Sequence, residues 1–299
     1  MRPIVCTLMS TYNGEEFLHE QIDSILSQED VQVRLIVRDD GSSDKTLSIL
    51  EKYQTQNQLR YSQGENIGPA RSFIKLLQEA PKTDFYAFSD QDDFWLSNKL
   101  RTATEFIGES ALPALYYCQT QIVDKRLSLR PSVKINPIGT FGEALIYQFI
   151  GGCTMVFNDA LRNIILEYIP QYLPMHDIWI YDIAMAIDAN IYFDSVPHIL
   201  YRQHNHNVIG QGYSQWKEWK RRIRRVILNR EHLRYKVGVE LMKGYYQMMP
   251  PENQDLIQTF IEAKHNFKKR ISLMTDKRFK CSDEQTYQKF VLSILLNTY

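Results

Sequence analysis

Over roughly the first two thirds of the chain, short apolar runs alternate with segments of helical periodicity. Ile4–Met9 is the first run. It passes directly into Ser10-Thr11-Tyr12-Asn13-Gly14, so it reads as a buried strand entering a turn. Leu18, Ile22, Ile25 and Leu26 then recur at helical spacing. Val33–Val37 predicts a second strand, ending in Arg38-Asp39-Asp40-Gly41-Ser42-Ser43-Asp44. Ser43 or Asp44 can cap the next helix, whose apolar face is Leu47, Leu50 and Tyr53. Leu59–Ser62 predicts a third, weaker strand. Pro69 stands at a first helical position, and Phe73, Leu76 and Leu77 carry that helix until Pro81. Phe85–Phe88 predicts a fourth strand. This alternation predicts an α/β fold, a mostly parallel sheet with helices on both faces.

The pattern is more mixed further on. Leu115–Gln119 reads as a strand, and Ser128–Gly142 as a polar, irregular loop placed to move over a site. Gly151–Phe157 reads as a strand entered through two glycines, with Asp159 capping the helix after it. Pro174-Met175-His176-Asp177 leads into a helix with Ile180, Ile183, Ala184 and Ile187 on one face. Ile191–Phe193 and Ile199–Arg202 close the alternating region, and beyond Gly212 the chain reads as helical. The predicted division is a catalytic domain over 1–210 and a helical region over 211–299.

Composition narrows the choice of partner. Lys+Arg and Asp+Glu are each 35, so net charge gives no argument for nucleic acid. The four cysteines, Cys6, Cys118, Cys153 and Cys281, are widely separated and show no zinc spacing, which favours a reducing cytosol. Met1-Arg2-Pro3 followed by Ile4-Val5-Cys6 does not read as a signal peptide, and no run approaches the length of a membrane span. One region is strongly biased: Gln215–Glu231 holds seven basic residues and two acidic ones. There Trp216, Trp219, Ile223, Val226 and Ile227 share one helical face, while Lys217, Arg221, Arg222, Arg224 and Arg225 share the other. A helix over 216–227 is therefore a candidate for contact with an anionic membrane surface; packing on the catalytic domain is the alternative.

The chemistry concentrates at Phe88-Ser89-Asp90-Gln91-Asp92-Asp93-Phe94-Trp95, where three carboxylates fall within four positions just past a strand. Clustered acids repel one another unless a cation sits among them, and oxygen ligands suit magnesium or manganese. An acidic turn favouring a helix start is the competing reading. Ser10–Asn13 and Asp39–Ser42 also end parallel strands, and adjacent strand ends form a crevice that fits a nucleotide. Tyr12 suits base stacking, and Asp39 or Asp40 suits a ring N–H of uracil or thymine; plain turn formation explains either stretch alone.

Taken in order, Ser10-Thr11-Tyr12-Asn13-Gly14, Asp39-Asp40-Gly41-Ser42-Ser43-Asp44, Asn66-x-Gly68, Asp90-x-Asp92-Asp93 and Asp177 before a helix resemble glycosyltransferase family 2. More narrowly, Ser89–Trp95, Met175-His176-Asp177 and Tyr201-Arg202-Gln203-His204 followed by Asn207 resemble its bacterial rhamnosyltransferase group, with His206 a departure from that pattern. The resemblance implies a GT-A fold, a divalent magnesium or manganese ion, and inversion at the anomeric carbon. It implies transfer of L-rhamnose from dTDP-rhamnose onto a polysaccharide or lipid-linked glycan precursor of the cell wall or capsule. A UDP-hexose donor is the alternative within the family. A nucleotidyltransferase is the alternative outside it, although Ser10–Gly14 lacks the lysine such a phosphate loop would carry.

The resemblance and the residue chemistry together make Asp177 the general base. They place Ser10, Tyr12, Asp39, Asp40, Arg71 and Asp90 around the nucleotide. The metal falls to Asp90, Asp92 and His204, and Asp93, Trp95, His176 and Trp179 line the acceptor or sugar pocket. Partners are then a nucleotide sugar and a glycan or polyprenyl-linked acceptor, with no nucleic acid. The implied location is cytoplasmic, peripheral at the inner face of the membrane.

Overall fold

The computed structural model describes residues 2–132, 134–147, 150–204 and 233–299. Its strands are β1 (Ile4–Thr11), β2 (Gln32–Asp39), β3 (Leu59–Gln63), β4 (Phe85–Ser89), β5 (Phe94–Trp95), β6 (Ala114–Cys118), β7 (Gln121–Val123), β8 (Val156–Asn158), β9 (Asn190–Asp194) and β10 (Ile199–Arg202). Its α-helices are α1 (Leu18–Leu26), α2 (Thr46–Thr55), α3 (Pro69–Glu79), α4 (Lys99–Ile107), α5 (Phe141–Ala144), α6 (Asp159–Glu167), α7 (His176–Ala186), α8 (Leu233–Tyr245), α9 (Pro251–Glu262), α10 (Phe267–Thr275) and α11 (Glu284–Leu295).

Among the described residues the main sheet has seven strands in the order β3-β2-β1-β4-β8-β6-β9. The first four pair in parallel, β8 runs antiparallel to both its neighbours, and β6 and β9 are parallel. Alternate side chains of each central strand point to opposite faces and so feed two cores. Cys6 and Leu8 of β1, with Tyr86 and Phe88 of β4, enter one core beneath α3 and α7. Val5 and Met9, with Phe85 and Ala87, enter the other beneath α1, α2 and α4. Because β1 and β4 are covered on both faces, they read as continuous apolar runs rather than alternating ones.

The helices after residue 232 join the first of these cores. Leu241, Ile257, Phe260 and Phe290 are buried in the same cluster as Phe73 and Ile180. Trp179 of α7 meets Tyr245 of α8 with ring centroids 5.9 Å apart. Glu143 accepts hydrogen bonds from the Gly139 and Ser282 N–H groups at 3.0 and 2.7 Å, tying α5 to the tail. The sheet and the tail thus share apolar contacts through α7.

Several elements differ from the sequence expectation. Gly152–Thr154 forms a 3-10 turn, and the strand begins only at Val156. The cause is local: Thr154 bonds the Gly151 carbonyl through both its N–H and its hydroxyl. Helix α6 is capped by Asn158, whose carbonyl accepts from the Leu161 N–H at 3.1 Å, because Asp159 is engaged by Tyr86 and Lys82. The loop expected over a site contributes no lining residue to the pocket below among its described residues. It is pinned elsewhere: Ile138 is buried, and the Ile135 N–H donates to Gln119 at 2.9 Å. Helix α4 and the three-stranded sheet β5-β10-β7 were not anticipated from the pattern. The helix expected over 216–227, together with His206 and Asn207, lies outside the described residues.

Candidate active site

Parallel pairing brings the ends of β1, β2 and β4 to one level, Thr11 beside Asp39 and Met9 beside Ser89. The turns leaving these strands, the 3-10 turn and the start of α7 enclose a pocket of about 500 Å³. The first two turns are stitched together. The Asn13 N–H donates to the Ser42 hydroxyl at 2.9 Å, and the Asn13 side-chain carbonyl accepts from the Ser43 N–H at 2.8 Å. Gln91 clamps the third to the first, accepting from the Tyr12 N–H at 2.9 Å and donating to the Tyr12 carbonyl at 3.1 Å. Tyr12 is left 49 % exposed on the rim.

Asp40 lines the pocket and is held firmly. It pairs with the buried Arg38 guanidinium and accepts from the Ile67 and Gly68 N–H groups at 3.0 and 2.9 Å. Gly68 has a φ of 80°, a conformation that favours glycine, and this lets the chain present both N–H groups to one oxygen. Ser10 also lines the pocket, bonded to Ser72 at 2.7 Å.

Asp90 and Asp92 face the pocket. Burial, with Asp92 and Asp177 nearby, pushes the Asp90 carboxyl up to about 7. Asp93 is fully buried behind them, and burial, with Asp92 and Asp90 nearby, holds its carboxyl well above the usual range. Strand β10 fastens this acid loop. The Arg202 N–H donates to Asp93 at 3.2 Å, and its guanidinium reaches the Asp92 carbonyl at 2.9 Å and Glu20 at 2.5 Å. Two residues on, His204 Nε2 lies 2.7 Å from an Asp92 carboxylate oxygen. Ligand atoms of Asp90, Asp93 and Cys153 lie within 4.8 Å of one another. Burial holds the Cys153 thiol protonated, well above its usual range.

Across the pocket, α7 begins after Met175, which makes no side-chain cap, so Asp177 sits inside the first turn rather than at the cap. Its carboxylate accepts from the Ile178 N–H at 2.8 Å and the Gly152 N–H at 3.1 Å. The Gly152 contact requires glycine: a Cβ there would stand 2.5 Å from His176 Nε2.

The structure therefore gathers Ser10, Tyr12, Asp40, Asp90, Asp92, Asp177 and His204 around one pocket. His176 also borders it, but its ring is buried, stacked on Phe73 at 4.0 Å and edge-on to Phe88 at 5.0 Å, and burial lowers its pKa. Other expected residues are placed elsewhere. Asp39 does not line the pocket; it organises the second turn, accepting from the Gly41 and Ser42 N–H groups and the Thr11 hydroxyl. Arg71 donates to the Gln171 carbonyl at 3.0 Å instead of facing the nucleotide crevice. Trp95 and Trp179 are each 1 % exposed and belong to the two cores, Trp95 covered by the Lys99 ammonium at 3.5 Å. Asp93 stands behind the acid loop rather than in a sugar pocket. Phe17, Gln91, Gly152 and Tyr201 line the pocket without having been singled out. Of these, Gln91 had a sequence signal in its place between the acids, and Tyr201 in the Tyr201-Arg202-Gln203-His204 stretch.

Comparison with known proteins follows this geometry. The family described as glycosyl transferase family 2 matches residues 6–165. The dTDP-rhamnosyl transferase RfbG of Shigella flexneri is 29 % identical over 234 residues, covering 71 % of this chain and 77 % of the relative. The structure of Staphylococcus aureus TarS 1–349 in complex with UDP-GlcNAc superimposes with a TM-score of 0.60 at 19 % identity, over 99 % of this chain and 81 % of that one. The mannosyltransferase PcManGT from Pyrobaculum calidifontis, in complex with GDP-Man and Mn²⁺, superimposes with a TM-score of 0.54 at 15 % identity, over 100 % of this chain and 81 % of that one. The sheet order, the strand-end pocket and the family match agree: this chain belongs to glycosyl transferase family 2 and is a glycosyltransferase of GT-A fold.

Proposed function

We propose that the protein transfers L-rhamnose from dTDP-L-rhamnose to a hydroxyl of a glycan or polyprenyl-linked precursor, with inversion at the anomeric carbon. The observation that carries this reading is the convergence of Asp40, Asp90, Asp92 and Asp177 on a single pocket. The likeness to a dTDP-rhamnosyl transferase supports the choice of donor.

Each residue has a chemical task in this scheme. Tyr12, exposed on the rim, stacks on the base. A carboxylate offers about four lone-pair sites. Arg38, Ile67 and Gly68 take three of those on Asp40, leaving one for the thymine N–H. Asp90 and Asp92, with His204 at the edge of the same group, would hold a magnesium or manganese ion. The two carboxylates suit a hard cation, and the crowding that raises Asp90 is what a cation relieves. Such an ion, when bound, offsets the charge that grows on the departing diphosphate. Asp177 takes the proton from the acceptor hydroxyl as that oxygen attacks the anomeric carbon and the bond to the diphosphate breaks. The division at residue 210 carries into this reading. Residues 1–210 house transfer, and the helical region supports α7. We place the enzyme in the cytoplasm, at the inner face of the membrane where a polyprenyl-linked acceptor resides.

The test is a panel of nucleotide sugars with manganese, read as free nucleotide released. Release from dTDP-L-rhamnose is expected to exceed that from UDP-glucose, UDP-GlcNAc and GDP-mannose, and to vanish in excess chelator and in Asp92→Asn. Preference for a UDP-hexose rejects the donor assignment. Full activity in chelator or in Asp92→Asn rejects the metal assignment.

A further inference from the structure

Helix α1 turns a polar stripe inward. Of its five buried side chains, Leu18, Ile22 and Ile25 are apolar, but Gln21 and Ser24 are not. Gln28, also buried, continues the stripe one turn on, just past the end of the helix. Spacings of three and four residues put all three on one side. A buried amide or hydroxyl costs free energy unless a partner meets it, and an apolar side chain would fill the same place without that need. The partners lie in the segment that begins with the acid loop.

The Gln21 Nε2 group donates to the Ser89 hydroxyl at 2.7 Å, and that hydroxyl donates in turn to the Asp90 carbonyl at 2.8 Å. Both Gln21 and Ser89 are wholly out of solvent, so water does not compete for these bonds. The Ser24 hydroxyl donates to its own helix, at the Gln21 carbonyl, and accepts from the Trp95 N–H at 3.1 Å. Gln28 donates to the Leu96 carbonyl at 2.8 Å and accepts from the Leu100 N–H at 2.9 Å. Beside the stripe, Glu20 takes the Arg202 guanidinium that also holds the Asp92 carbonyl. Side chains of α1 thus hold the main chain from Ser89 to Leu100. None of these bonds uses the carboxylate of Asp90 or Asp92, and both acids face the pocket.

We propose that Gln21 is a positioning residue for the metal-binding carboxylates. Through Ser89 it fixes the peptide between Asp90 and Gln91, and so holds the two acids together before an ion arrives. Left to themselves, crowded carboxylates repel one another and would spread the loop. The Ser24 and Gln28 contacts hold the far end of the segment, at β5 and the start of α4, and serve the fold. The inference rests on the assignment of the metal to Asp90 and Asp92, and is independent of the donor sugar.

The test is the manganese affinity of the full chain without nucleotide, read from the electron paramagnetic resonance signal of the free ion. Groups that orient metal ligands are typically worth about 10–100-fold in metal affinity or activity. Gln21→Met keeps the length of the side chain and removes its amide. It is expected to weaken manganese binding by about tenfold or more. Ser89→Ala is expected to do the same, and Gln21→Met/Ser89→Ala to lose no more than the larger single change, because both act through one chain of bonds. Gln28→Met is expected to melt earlier yet bind manganese at the parent affinity, which separates positioning from general support of the fold. Should Gln21→Met fail to fold, Ser89→Ala, which removes a single oxygen, carries the test. Parent-like manganese binding in Gln21→Met and Ser89→Ala, with binding lost in Asp92→Asn, would overturn this inference and leave the metal assignment standing. Losses that simply add in the double variant would overturn it as well. Undiminished binding in Asp92→Asn, or no binding by the parent, would overturn both readings.

Discussion

Asp177 owes its orientation to two backbone N–H groups, from Ile178 in its own helix and from Gly152 across the pocket. Those two bonds leave lone pairs on the carboxylate facing the pocket that it lines. Asparagine retains a side-chain oxygen for Gly152 but cannot take a proton. Asp177→Asn is therefore expected to keep the parent affinity for dTDP and metal while losing transfer by about 10²–10⁴-fold. The split between binding and turnover is the readout, by calorimetry with dTDP alongside steady-state kinetics. A variant that transfers normally and only melts earlier would reduce Asp177 to a structural role.

Among the elements, the 3-10 turn at Gly152–Thr154 sets the distance between α7 and the acid loop. Gly152→Ala would drive a Cβ to within 2.5 Å of His176, a ring already wedged against Phe73 and Phe88. Overpacking of this kind typically costs about 1–3 kcal/mol. Thermal melts of Gly152→Ala should show that loss, and Gly152→Ala/His176→Ala should recover part of it relative to the simple sum of the two single changes. This turn was read as strand from the sequence, because Cys153, Met155 and Phe157 are apolar whether the backbone extends or coils. The other long strands of the sheet were legible, since Ile4–Met9 and Phe85–Phe88 are continuous apolar runs covered on both faces, and Val33–Val37 is β-branched and bounded by polar residues. Strands β5 and β7 were not, being two and three residues long and defined only by their pairing with β10. Tyr12, Asp40, Asp90 and Asp92 were legible by their positions at strand ends and Asp177 by its place before a helix, whereas Asp39 and Asp93, marked by the same strand-end signal, do not line the pocket. Trp95, Trp179 and Arg71 were misplaced because sequence proximity to a motif does not fix which way a side chain points. Trp95 turns back over α4, and Arg71 reaches to the loop before α7.

For the molecule as a whole, the crowded acids make stability depend on pH. Asp90 and Asp93 hold their protons more tightly folded than unfolded, with Asp90 pushed up to about 7 from an ordinary 3.8. Between those values the native state binds more protons than the unfolded chain, so stability falls as pH rises through the window. In chelator, the melting temperature should drop by several degrees from about pH 5 to about pH 8, and manganese should flatten the dependence. A flat profile in chelator would mean that the acids are screened from one another. The tail enters the same account through α7. That helix carries Asp177 at one end, packs on α3 along one side and on α8 along another. It also rests on α5 and on β6 and β9, so the tail helix α8 is one of several supports. The helices after residue 232 contribute no wall to the pocket among the described residues, yet Tyr245 presses on Trp179, two positions from Asp177. Rate can therefore be tuned, or lost, by substitutions that never approach the substrate, and a survey confined to the pocket lining would overlook them.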